Sequence, residues 1–95
     1  MELVIVERRL DEPRELAQLH CLEHAAAACL SLYRVRALHA YVSRDRRRLI
    51  CVYEAPDAES VRQANRKAGL PFETAWSADV LEPHGAAAGG AAEGT

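Results

Sequence analysis

Six segments in the order β-α-β-β-α-β predict an α+β domain of ferredoxin-like plan. In that plan a four-stranded antiparallel sheet carries both helices on one face. Three observations carry the prediction. Two short β-rich runs, 34–43 and 48–55, flank the polar stretch "SRDRR" and read as a hairpin. A helix with clear punctuation follows it. A matching strand-then-helix pair precedes it.

The first strand is "LVIVERR" (3–9), rich in β-branched residues. "DEPRELAQLHCLEHAAAACLSL" then turns helical. Asp11 or Glu12 is expected to cap it, with Pro13 in its first turn. Leu16, Leu19, Leu22, Ala26, Cys29 and Leu30 recur at three- and four-residue spacing, giving an apolar stripe. The alanine run carries the helix to about Leu32. In the second helix Asp57 caps the start. Gly69 suits the left-handed position past its end, and Pro71 forbids continuation. "FETAWSADVLEP" (72–83) is the expected fourth strand. From His84 onward the Gly/Ala-rich stretch buries too little apolar surface to offset its ordering entropy. Residues 1–83 are therefore read as the domain and 84–95 as a disordered tail.

Composition narrows the function. The chain has 95 residues, 49% hydrophobic and 27% charged, with a net charge of −2. That balance points away from nucleic-acid and membrane partners. No apolar run approaches the roughly 20 residues that span a bilayer. "MELVIVERRL" lacks the form of a secretory signal, so the cytoplasm is the expected compartment. Three cysteines, Cys21, Cys29 and Cys51, with no C-x-x-C pair, fit reduced thiols. Eleven arginines against one lysine suggest a GC-rich genome more than a chemistry.

Strand alternation predicts what each sheet face holds. The aliphatic set Leu38, Ala40, Val42, Ile50 and Val52 is expected under the helices. His39, Tyr41, Cys51 and Tyr53, with Val35 and Ala37, are then expected on the helix-free face, and Trp76 can join them. Such a face suits neither water nor a plain core. A two-fold homodimer packed sheet to sheet would cover it. His39, Tyr41, Cys51 and Tyr53 would line the cleft as the candidate ligand-binding set, against the alternative that the tyrosines only pack.

"HCLEH" (20–24) offers a second candidate. His20 and His24 lie one helical turn apart and can chelate Ni²⁺, Cu²⁺ or Zn²⁺, or can simply face solvent. The stretch also fits H-x-x-E-H, an inverted zinc-protease signature. A domain this small has no room for the scaffold and third ligand such a protease needs. No Gly-rich phosphate loop or Ser-His-Asp set stands out.

"VIVERRL", "LHAYVS" and "ICVYEAPDAESVRQANRKAGLP" resemble a family of small bacterial ferredoxin-like proteins. That family is largely labelled as a domain of unknown function and includes a nickel-binding, nickel-responsive actinobacterial member. The resemblance spans most of 2–82, and His39, Tyr41, Cys51, Tyr53, Ala55 and Pro56 match its pattern. It implies a dimeric ferredoxin-like protein with nickel or another divalent metal as cofactor. Asn65 departs from the family, where a His often stands, and Asn is a poor nickel or zinc ligand.

Two functions are expected from these residues. The first is a cytoplasmic divalent-metal-binding protein using His39, with His20 and His24 as a second site. Its affinity should fall below about pH 6, where imidazole protonates. The alternative is a dimeric α/β-barrel enzyme or small-molecule binder. There His39 would move a proton and Tyr41 or Tyr53 would hold an oxygen.

Overall fold

A computed structural model describes residues 1–83 of the chain; the expected tail at 84–95 lies outside the described residues. The order is β1 (Glu2–Arg9), α1 (Leu16–Leu32), β2 (Arg36–Val42), β3 (Arg48–Ala55), α2 (Ala58–Ala68) and β4 (Thr74–Ala78). The strands form one antiparallel sheet in the order β2-β3-β1-β4, so the first and third strands are central. This is the ferredoxin-like plan that the segment order predicts.

The core lies between the helices and one sheet face. Val4 and Val6 of β1, Leu49, Cys51, Tyr53 and Ala55 of β3, and Ala75 of β4 are buried there. Leu19, Ala26 and Leu30 of α1 and Val61 and Ala64 of α2 are buried from the helix side. Each set follows its element's own period, two for strands and three to four for helices.

α1 starts later than the capping expectation. Glu15 is its N-cap, and Glu15 N–H donates to the Gln18 side chain at 3.0 Å. Asp11, Glu12 and Pro13 precede the helix. The backbone there is tied to the hairpin instead, with Leu10 N–H donating to Arg47 O at 2.7 Å and an Arg47 guanidinium N–H to Asp11 O at 3.1 Å. Pro13 also drives residue 12 toward extended backbone, away from the helical region.

α2 ends as its punctuation predicts. Asp57 accepts from Ser60 N–H at 2.7 Å, and Gly69 takes a left-handed φ of 72°. Leu70 N–H then closes onto Asn65 O at 2.9 Å, capping an otherwise orphaned carbonyl. β4 is shorter than the run 72–83. It pairs with β1 only from Thr74 to Ala78.

Candidate functional site

The face of the sheet opposite the helices is set by two features of β2. The first is the hairpin loop, 44–47, closed by Ser43 N–H donating to Arg48 O at 3.0 Å. Asp45 stiffens it by accepting from the Ser43 hydroxyl and the Arg47 N–H. An even number of loop residues places odd positions of β2 opposite even positions of β3. His39 therefore pairs with Val52 and Tyr41 with Ile50. Residues directly opposite in an antiparallel ladder share a face.

The expected quartet is thus divided. His39 and Tyr41 lie on the open face, together with Ile50 and Val52. Cys51 and Tyr53 lie under the helices, buried in the core. The aliphatic pair Ile50 and Val52 was expected inside and stands outside. A polar group goes inward when partners await it, and Tyr53 has them, as shown below.

The second feature is a bulge between Ala37 and His39. Leu38 is the surplus residue, and Ala37 pairs with Tyr53 right beside the His39–Val52 pair. Ala37 therefore falls on the face opposite His39, and Val35 is buried in the core. The expected grouping of Val35 and Ala37 with His39 fails at this bulge.

The open face is apolar at its middle and charged at its margin. Ile5 of β1 lies between Val52 and Trp76, so Trp76 does join this face. His39 and Tyr41 stack edge-on, with ring centroids 5.2 Å apart, and both are exposed. At the margin Arg36 pairs with Glu54 at 2.8 Å, and Arg48 approaches Glu7 at 3.6 Å. Glu7 also accepts from Trp76 Nε1 and Thr74 Oγ1, each at 3.1 Å. The Trp76 and Thr74 bonds, aided by Arg48, hold the Glu7 carboxyl below the usual range.

A carboxyl whose folded pKa is depressed contributes stability above its unfolded value and loses it as pH falls through the folded value. Fluorescence of Trp76, the protein's single tryptophan, is expected to report an acid transition with a midpoint below 4.5. Glu7→Gln should remove that transition. A midpoint at or above 4.5 would contradict the bonded geometry.

Beneath the sheet lies a polar cluster absent from the expected site. Arg8 follows Val4 and Val6 in the inward phase of β1 and is buried. Its guanidinium donates to Tyr53 Oη at 2.9 Å, to Asn65 Oδ1, and to Pro71 O at 3.1 Å. Asn65, fully buried, donates in turn to Val61 O at 2.8 Å. Cys51 Sγ lies 3.9 Å from Glu23 Oε2. Burial pushes the Cys51 thiol up, with Glu23 adding to the rise and Arg8 opposing it. Burial likewise pushes the Tyr53 phenol up. Both groups are therefore neutral near pH 7 and sit beside a fixed cation. That is a poor place for a divalent metal, whose soft ligand is the thiolate. The signal for Arg8 is legible in "VIVERR", whose alternation points this arginine inward.

His20 and His24 are exposed on α1. His20 borders a groove with Leu16, Glu23, Ala40 and Val42. Because α1 covers the opposite side of the sheet from His39, the two candidate sites cannot share one ion within a chain. Among the described residues no group of three or more His, Cys, Asp or Glu side chains is arranged to hold a metal.

A family model described as nickel responsive protein SCO4226-like matches residues 5–77. This chain belongs to the SCO4226-like family. Among solved structures, SCO4226 from Streptomyces coelicolor A3(2) is similar, with a TM-score of 0.76 and 20% sequence identity. The match covers 84% of this chain and 99% of that one. At that identity the likeness establishes a shared fold. No curated protein matches. For this SCO4226-like chain the family assignment agrees with the resemblance carried by "LHAYVS" and "ICVYEAP". Among the described residues no helix is long and apolar enough to cross a membrane.

Proposed function

We propose that this SCO4226-like chain is a small cytoplasmic binding protein that pairs as a homodimer through its open sheet face. It takes up a divalent metal, nickel first, in the cleft between the copies. The observation that supports this reading is His39, an exposed imidazole set on an apolar, charge-rimmed face of a chain whose family is named nickel responsive. Imidazole suits nickel. A single chain offers too few donors, and a two-fold axis doubles each of them. His39 from each copy would hold the ion, with Tyr41 beside it. Binding requires neutral imidazole, so acid weakens it.

Calorimetry with Ni²⁺ and Zn²⁺ on the full chain tests the site. His39→Ala is expected to weaken nickel binding by at least about tenfold, or 1.4 kcal/mol, and His20→Ala with His24→Ala to weaken it less. Binding no tighter than about millimolar, or binding unchanged by His39→Ala, would sink this reading.

A further inference from the structure

Arg8 is buried to 7% exposure, yet it forms no ion pair among the described residues. Among the described residues no carboxylate oxygen comes within 4.0 Å of its nitrogens, whereas Arg9, Arg36, Arg48, Arg62 and Arg66 all have such partners. Its three hydrogen bonds go to neutral oxygens: a phenol, an amide and a carbonyl. A guanidinium carries five N–H donors, and these three bonds take three of them, with the Cys51 thiol also beside the guanidinium. A charge taken out of water without a counter-charge is costly, by several kcal/mol in real proteins.

The guanidinium does not face solid packing. It lines a cavity of about 220 Å³ between the sheet, α1 and the turn that follows α2. Leu19, Leu22, Leu49 and Leu70 make the walls apolar. Arg9 and Arg14 also line the cavity, against a single carboxylate, Glu23. Arg9 is bridged to Glu73, so Arg8 and Arg14 stand against Glu23 alone and leave the cavity net positive. Leu10 and Arg14, at either end of the β1–α1 connection, also line it.

We propose that this cavity is a binding site for a small organic monocarboxylate with a short apolar tail. The carboxylate would meet Arg8, where a planar guanidinium can offer paired N–H donors. Arg14 would add charge, and the leucines would take the tail. The site lies on the other side of the sheet from His39 and stands independently of any metal.

The test uses the full chain and a homologous series: acetate, butyrate and hexanoate, with hexanol as the uncharged control. Binding is followed by calorimetry and by amide chemical shifts of residues 19–23 and 69–71. Affinity is expected to rise from acetate to hexanoate, and hexanol is expected to bind at least about tenfold more weakly than hexanoate. Arg8 variants risk misfolding, so two others carry the test. Arg14→Ala, an exposed position, should weaken hexanoate several-fold. Leu22→Trp, which fills the half-exposed mouth, should abolish binding with the circular dichroism spectrum unchanged. Equal binding of hexanol and hexanoate overturns the proposal, as does hexanoate binding that survives Leu22→Trp. So does the absence of any hexanoate binding by the wild-type chain at about 10 mM, the scale of a very weak complex.

Discussion

Asn65→Leu is expected to destabilise the protein by about 3 kcal/mol, the cost of leaving a buried charged donor short of an acceptor. Asn65 Oδ1 is one of three oxygens solvating the Arg8 guanidinium, and the leucine offers none. For a domain this size each kcal/mol moves the melting temperature by about 4–8 °C. Thermal unfolding should therefore show a loss of more than ten degrees, or no folded state. The double variant, Arg8→Met with Asn65→Leu, should be less unstable than the sum of the two singles, because it removes the charge along with its acceptor, although Tyr53 Oη and Pro71 O still lose their donor. A double variant as unstable as the sum of the two singles would show that Arg8 and Asn65 do not act as a pair.

Ile5→Glu is expected to dissociate the proposed homodimer with the monomer still folded. Ile5 is only half-buried in the single chain, so a carboxylate there reaches water. On the sheet it lies between Val52 and Trp76, so in the proposed pairing it would be central and each copy would bury one unpaired charge. At about 3 kcal/mol or more per buried charge, the dimer should weaken at least about 10³-fold. Light scattering of wild type and variant across micromolar concentrations, with circular dichroism as a check on folding, decides the matter. A wild-type chain that is monomeric at those concentrations removes the dimer and with it the metal cleft.

Local signals read well from the sequence. Asp57, Gly69 and Pro71 bound α2 by chemistry confined to a few residues, and the structure keeps those bounds. The segment order gave the fold because each period was long enough to recognise. Pairing between strands was less legible. Cys51 and Tyr53 change face with the parity of a loop whose exact ends the pattern "SRDRR" does not reveal. Tyr53 reads as an outward residue because the aliphatic set with Ile50 and Val52 is assigned to the helix side, and no partner for its hydroxyl is visible nearby in the sequence. That partner, Arg8, is 45 residues away in sequence, and only the fold brings it within 2.9 Å. Asn65 stood out by resemblance as a missing ligand. Its place beside Arg8 gives it a positive role, as an acceptor for a cation.

The bulge in β2 makes Leu38 a residue that the ladder does not count. Removing it would leave Ala37 opposite Tyr53 and His39 opposite Val52, so a chain one residue shorter there keeps the same sheet. Removing one residue from the regular ladder at Ala40 has the contrary effect. It slides the segment before it by one place and would move His39 into the inward place that Ala40 held. Length change within β2 thus falls into two classes, one silent and one inverting. Relatives that differ in length along β2 should carry their gaps at the bulge.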